Sequence, residues 1–274
     1  MSSTFESSTA KARRREKRAV SNGAGSLMEV KAVVLAGGRG SRLAPYTTIL
    51  PKPLMPVGER SILEIVVDQL EKAGVVDIRF CVGYLSHLIR AVFDNRANGH
   101  VNITYTREEN ALGTAAPLRL VEGLDETFLV MNGDVLTTLD LRELVRYHRE
   151  VGNVLTIATQ KRTTKVDYGT LHLDDNQRVS DFEEKPEIVS RVSMGIYVME
   201  PEVRDHIPEN EYFDFPHLVH ALLKAGRPVG AYRHDGLWFD IGRQDDYAEA
   251  VAAWEANRSE NGDGPGDEPM RAVP

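Results

Sequence analysis

The chain has 274 residues, 42% hydrophobic and 27% charged, a composition that excludes disorder throughout and leaves room for one large domain or two small ones. A formal net charge of −8 argues against a general nucleic-acid binder, whose surface carries a positive excess. No run approaches the roughly 18–20 consecutive apolar residues of a membrane helix, and the N-terminus lacks the apolar core of a secretory signal. A cytoplasmic protein that engages neither membrane nor nucleic acid is expected. The single cysteine, Cys81, lies within the apolar run 78–82, which excludes an intrachain disulfide and reads as a buried strand position.

Residues 1–28 read as a disordered basic extension, with Lys11, Arg13, Arg14, Arg15, Lys17 and Arg18 set against Glu6 and Glu16. The first predicted element is the run 31–36, Lys-Ala-Val-Val-Leu-Ala, the almost wholly apolar kind of strand that is covered on both faces. It stops at Gly37-Gly38-Arg39-Gly40, and a proline-rich loop follows. Ser61-Ile-Leu-Glu64 is a capping box, and Ile62, Ile65, Val66 and Leu70 continue at helical spacing to Gly74. The pattern repeats with a strand over 77–82, a helix from Ser86, a strand over 101–106, a helix after Gly113, and a strand over 127–131 that ends at Asn132-Gly133-Asp134. A helix over 140–150 and a strand over 153–159 complete an α/β core of the doubly wound type.

Beyond Asp167 the runs 168–173, 178–182 and 192–199 read as strands with short turns, a more mixed sheet, followed by helices at 215–225 and 244–257. Residues 29–257 therefore read as one domain. Residues 258–274, rich in Gly, Asp, Glu and Pro, read as a disordered acidic tail. No internal repeat and no appended β-helix is visible.

A glycine-rich turn at the carboxyl end of a strand is where open α/β sheets bind ligands, because glycines let backbone amides approach phosphate oxygens. The dinucleotide fingerprint fails at Leu43, and no Gly-Lys-Ser/Thr of a Walker A motif is present. The sequel is more informative. Arg42 and Lys52 bracket a segment whose prolines 51, 53 and 56 stiffen it and hold the cations.

The segment 35–45, Leu-Ala-Gly-Gly-Arg-Gly-Ser-Arg-Leu-Ala-Pro, followed by 51–58, Pro-Lys-Pro-Leu-Met-Pro-Val-Gly, resembles the signature of the sugar-1-phosphate nucleotidylyltransferases. The likeness continues through Leu112-Gly-Thr-Ala115, Asn132-Gly-Asp134, Phe182-Glu-Glu-Lys-Pro186, Gly195-Ile-Tyr197 and Trp238-Phe-Asp-Ile-Gly242. The fold it implies is a Rossmann-like doubly wound mixed sheet of the nucleotide-diphospho-sugar transferase type. The activity it implies is attack by a sugar-phosphate oxygen on the α-phosphorus of a nucleoside triphosphate, releasing pyrophosphate. The attacking oxygen is already an anion, so no general base is required and alignment plus charge neutralisation suffices.

By resemblance, Leu35, Gly37, Gly38, Gly40, Gly113 and Thr114 line the nucleotide, while Arg42 and Lys52 contact its phosphates. Asp134 and Asp240 match the family's Mg²⁺ ligands; taken alone, such aspartates read equally as turn residues or helix caps. Magnesium takes one or two carboxylates together with phosphate oxygens and water, which suits a pair. Lys185 is implied to bind the sugar phosphate and Glu184 its hydroxyls, with Gly169 and Ser193 lining the sugar pocket. Ser193 stands where the family pattern has Asn, which opens the identity of the sugar. His217 and His220 share a helix face, lack a matching third ligand and read as surface residues.

Glu108 occupies a position where relatives using uridine or thymidine triphosphates often carry Gln. A carboxylate only accepts hydrogen bonds, and guanine offers two neighbouring donors where uracil and thymine offer one. GTP is therefore the favoured nucleotide, with a sugar or cyclitol 1-phosphate as acceptor. Uridylyl or thymidylyl transfer to a hexose 1-phosphate is the alternative. A non-catalytic sugar-nucleotide sensor need not keep both metal carboxylates, and a glycosyltransferase would carry an Asp-x-Asp motif that Asn132-Gly133-Asp134 is not. Dimers and tetramers are common in families of this kind, which leaves a homo-oligomer open.

Overall fold

The computed structural model describes residues 30–94, 100–108, 112–242 and 244–260. The expected basic extension over 1–28 and residues 261–274 of the expected acidic tail lie outside them. In chain order the strands are β1 (Lys31–Ala36), β2 (Pro56–Val57), β3 (Arg60–Ser61), β4 (Asp77–Val82), β5 (Asn102–Arg107), β6 (Phe128–Asn132), β7 (Val135–Thr137), β8 (Leu155–Lys165), β9 (Thr170–Leu173), β10 (Val179–Glu183), β11 (Glu187–Met199), β12 (Val229–Arg233) and β13 (Trp238–Asp240). The helices are α1 (Ile62–Lys72), α2 (Ser86–Phe93), α3 (Pro117–Leu120), α4 (Leu141–Val151), α5 (Phe215–Lys224) and α6 (Gln244–Glu260).

Among the described residues the main sheet has seven strands in the order β12-β8-β11-β6-β1-β4-β5. Strands β6, β1, β4 and β5 run parallel, β11 is antiparallel to both β6 and β8, and β12 is parallel to β8. The chain builds outward from β1 through β4 to β5, then returns to place β6 on the other side of β1. That reversal is the topological switch point, and the crevice beside it opens at the carboxyl ends of the strands.

Strand β1 shows why an unbroken apolar run was needed. Ala32, Val34 and Ala36 face one core cluster with α1, α2, α4 and α6, and Val33 faces a second cluster with α3 and α5. The expected Ser61 capping box forms, whereas the expected Ser86 cap does not: Ser86 is already inside α2, and the residue before it, Leu85, is left-handed (φ 52°) and offers no side-chain cap. Ser61 Oγ accepts from the Glu64 amide at 3.3 Å while Glu64 returns a carboxylate to the Ser61 amide at 2.8 Å. Asp140 caps α4 through the amides of Arg142 and Glu143, and Cys81 is fully buried in β4.

Several elements differ from expectation. The helix after Gly113 is one turn, Pro117–Leu120: the amides of Ala115 and Ala116 before it donate to the Phe213 carbonyl at 3.0 Å, and Val121 beyond it is extended. Strands β8 and β11 extend beyond the expected 153–159 and 192–199 as a paired arm, and α6 runs to Glu260, beyond the expected end at 257. The two-stranded pairings β2–β3 and β7–β13 had no counterpart in the expected elements.

Candidate active site

Four parallel strands deliver candidate residues to the same edge of the sheet. Gly37 follows β1, Gly83 follows β4, Glu108 follows β5, and β6 ends two residues before Asp134. Their common direction makes this a property of topology, whatever the side chains.

The carboxylate pair depends on a much smaller element. β7 follows Asp134 directly and pairs antiparallel with β13, whose last residue is Asp240; Asp240 stands opposite Val135, and the Ile241 amide donates to the Asp134 carbonyl at 3.3 Å. Two aspartates more than a hundred positions apart are thus brought together by three rungs of ladder. Both then meet one ammonium: Lys52 Nζ contacts Asp134 Oδ2 and lies 3.8 Å from Asp240 Oδ1. The Lys52 side chain is only 11% exposed, against 52% for Asp240. Asp134 Oδ1 is buried and has no hydrogen-bond partner among the described residues. A buried carboxylate oxygen with unused acceptor capacity, beside a second carboxylate, is a hard-oxygen donor set that fits Mg²⁺. Among the described residues no group of three or more His, Cys, Asp or Glu is placed to hold a metal, so the pair stands without a third protein ligand, and His217 and His220 are exposed.

Lys52 is delivered by a short 3₁₀ turn, Lys52–Leu54, entered through Pro51. Gly40 makes that approach possible. Its φ of 61° is left-handed, and a Cβ there would stand 3.0 Å from Lys52 Cβ and 3.1 Å from Thr47 Cγ2, so a side chain would be both strained and crowded. Thr47 Oγ1 in turn donates to the Gly40 carbonyl at 2.8 Å. From the far end of the chain, Gln244 Nε2 donates to the Ala44 carbonyl at 2.8 Å and Tyr247 Oη donates to that of Pro56, so α6 braces this loop.

At the other end of the crevice Glu108 packs on the glycine loop. A Cβ on Gly37 would lie 2.8 Å from Glu108 Oε1, so a side chain there would make the carboxylate shift. Burial pushes the Glu108 carboxyl above the usual range, an effect partly offset by the Leu112 amide at 3.4 Å from Oε2. Leu35 is partly buried under the loop, and Gly38 is open and exposed. Gly113, with φ 95°, and Thr114 sit against Asp214, which accepts from the Thr114 amide at 2.8 Å and hydroxyl at 3.0 Å, while Thr114 Oγ1 accepts from the Phe215 amide. Burial alone would raise the Asp214 carboxyl; hydrogen bonds from Tyr212 and Thr114 outweigh it and hold the group below its ordinary value. Asp214 was not among the expected site residues, although Asp followed by Phe-Pro is a helix-start signal that marks it.

The remaining residues lie on the arm. Gly169 and Glu184 meet: a Cβ on Gly169 would stand 3.0 Å from Glu184 Oε2 and 2.4 Å from Phe182 Cζ. Lys185 is exposed, with φ 48°. The side chains of Lys185 and Arg42 make no hydrogen bond or ion pair among the described residues, so the structure gathers Lys52, Asp134 and Asp240 but does not bring these two cations onto them. Ser193 sits where the β11–β8 register shifts, and its hydroxyl donates to Tyr197 Oη at 3.2 Å. Tyr197, also outside the expected set, is buried and stacks on Phe215 at 4.0 Å; burial above all, with the Asp240 charge, raises its phenol. A cavity of about 850 Å³ lined by Leu112, Arg119, Arg204 and Glu209 contains none of the expected site residues.

A crevice at the switch point of an open α/β sheet, with a glycine loop at one end and a carboxylate pair at the other, lies where ligands bind in folds of this class. The profile of the nucleotidyl transferase family matches residues 31–257, and the chain belongs to that family. It is 34% identical over 242 residues to a Synechocystis protein named UTP–glucose-1-phosphate uridylyltransferase, covering 81% of this chain and 62% of that one. It is also 34% identical over 238 residues to the mannose-1-phosphate guanyltransferase of Aspergillus oryzae, covering 82% and 64%. The chain therefore spans less than two thirds of the length of these relatives. A solved structure from Bacillus anthracis superposes with a TM-score of 0.65 at 25% identity, covering 82% of this chain and 94% of that one. HddC from Yersinia pseudotuberculosis shares the fold, with a TM-score of 0.64 and coverage of 82% and 99%. No helix among the described residues is long and apolar enough to cross a membrane.

Proposed function

We propose that the protein transfers a nucleoside monophosphate, GMP from GTP in preference, to a sugar or cyclitol 1-phosphate. The observation that carries this reading is the cluster of Lys52, Asp134 and Asp240 at the same strand edge as the Gly37–Glu108 contact. An acceptor phosphate oxygen bonds to the α-phosphorus, the bond to the β-phosphate oxygen breaks, and pyrophosphate leaves with its electron pair. The nucleophile enters as an anion, so no residue has to remove a proton. Arg42 and Lys52 offset charge on the triphosphate, and the amides of the loop through Gly37, Gly38 and Gly40 approach it closely. Leu35, Gly113 and Thr114 border the nucleoside, with Asp214 fixing Thr114. Glu108 accepts from the adjacent donors of guanine. Lys185 holds the acceptor phosphate, Glu184 accepts from its hydroxyls, and Gly169 and Ser193 shape the pocket. Asp134 and Asp240 hold Mg²⁺, which when bound neutralises charge around the reacting phosphorus.

Uridylyl transfer is the second reading, supported by the name of the Synechocystis relative. Pyrophosphate release, measured with Mg²⁺ across GTP, UTP, TTP and ATP paired with a panel of sugar 1-phosphates, separates the two. Release fastest with GTP is expected; fastest release with UTP or TTP favours the second reading, and no release with any pair overturns both.

A further inference from the structure

Lys52 is asked to face phosphate oxygens in the proposed reaction, yet its ammonium is held between two carboxylates. The pairing of β7 with β13 brings Asp134 and Asp240 together by backbone register alone, and two like charges at one place disfavour each other unless a cation stands between them. The backbone of Lys52 is set by its 3₁₀ turn and its Cβ passes close to Gly40, so the ammonium reaches the pair with little exposure while the outer stem stays free to turn. A divalent ion bound by both carboxylates would take the position that this ammonium holds.

We propose that Lys52 is the resident counter-ion of the metal site: its ammonium competes with the divalent ion in the nucleotide-free protein and transfers to phosphate oxygens when metal and triphosphate arrive together. The inference rests on reading Asp134 and Asp240 as the metal ligands. Three features support it. A lysine ammonium is a compact point charge on a flexible stem, suited to moving between neighbouring anions where a planar guanidinium would be committed to one geometry. Asp134 Oδ1 keeps an unused acceptor site beside the ammonium, which a cation of higher charge satisfies more fully. The triphosphate supplies the anion that releases Lys52, so the ion is taken up with the nucleotide and only weakly before it. Lys52 is then a positioning residue for the metal as well as a phosphate contact.

The test is Mn²⁺ binding to nucleotide-free protein, followed by the electron paramagnetic resonance of free Mn²⁺, a readout that does not involve turnover. Lys52→Met is expected to bind Mn²⁺ at least about tenfold more tightly than wild type, because the competing charge is gone. Lys52→Gln, a second neutral variant should Lys52→Met fail to fold, is expected to show the same gain. Lys52→Arg, which keeps the charge, is expected to bind as weakly as wild type, and adding Asp134→Asn to a neutral variant is expected to abolish the gain. Equal affinity in wild type and both neutral variants overturns the proposal, as does a gain that survives Asp134→Asn. A protein that released no pyrophosphate with any substrate pair would overturn the proposed reaction and leave these binding outcomes readable.

Discussion

The half of the sheet built from β1, β4, β5 and β6 and the arm built from the outer halves of β8 and β11 with β9 and β10 hold their candidate residues in opposite ways. In the first, Val33, Phe80, Leu129 and Met131 are fully buried, and several candidate residues pack against one another: Gly37 on Glu108, Gly40 on Lys52, Lys52 between Asp134 and Asp240. In the second, β10 is exposed along its whole length, and Tyr168, Leu171, Phe182 and Ile188 show more than half of their surface. Gly169, Glu184 and Lys185 are positioned by contacts within the hairpin and its neighbours, with no core beneath them. The first half is set by packing before any ligand arrives. The second has the few buried contacts of a region that opens at low cost.

This contrast predicts that changes in the first half lower the rate and changes in the arm weaken acceptor binding. The largest effect is expected at the carboxylate pair. Asp134→Asn and Asp240→Asn should each lower Mg²⁺-dependent pyrophosphate release by about 10³-fold or more. Wild-type rates in either variant would break the contrast at its rigid end. Next comes the arm: Lys185→Met should raise KM for the sugar 1-phosphate by about 10- to 100-fold, the size of a lost charge-assisted contact, with KM for the nucleotide and Tm unchanged. A loss confined to kcat would place the hairpin among the preset elements.

Smaller effects sharpen the picture. Glu108→Gln should lower kcat/KM for GTP relative to UTP by about tenfold. Burial raises the Glu108 carboxyl, so the acceptor-only form is lost at a higher pH than for an ordinary glutamate, and KM for GTP should rise as pH falls through that raised value; the Gln variant should show no such rise. The smallest effect concerns stability. His148 is fully buried beneath the sheet, with Nδ1 2.7 Å from Thr156 Oγ1 and Nε2 3.1 Å from Glu200 Oε1, and burial depresses its pKa below the ordinary 6.5. The folded state then binds fewer protons than the unfolded chain below pH 6.5, so this contribution is present above that value and lost as pH falls beneath it. Tm followed from about pH 7.5 to about pH 5 should decline less steeply in His148→Gln than in wild type.

What could be read from the sequence follows the same division. β1, α1 and β4 were legible because apolar periodicity and a capping box act locally, and the glycine loop was legible because its glycines sit at the end of a strand, Gly40 in the left-handed backbone that glycine adopts freely. The meeting of Asp134 with Asp240 was legible only through the resemblance, since β7 and β13 are three residues each and exist only through pairing between them. The arm was under-read because Lys161–Lys165 is polar on both faces and shows no alternation; its strand character comes from β11, which pairs with it residue by residue. Thr114 was legible as a site residue only through the resemblance, and the Asp214 cap that fixes it lies a hundred positions away.

The central claim is that one nucleotide spans the crevice from Glu108 to a metal held by Asp134 and Asp240. A crystal structure of the protein with GTP and Mn²⁺, read by the anomalous signal of the metal, tests it most directly. The account predicts a peak between the two carboxylates, phosphate oxygens completing its shell, Lys52 moved onto phosphate, and the guanine N1–H and 2-amino group against Glu108. A peak away from Asp134 and Asp240, or a base bound elsewhere than at Glu108, would contradict it.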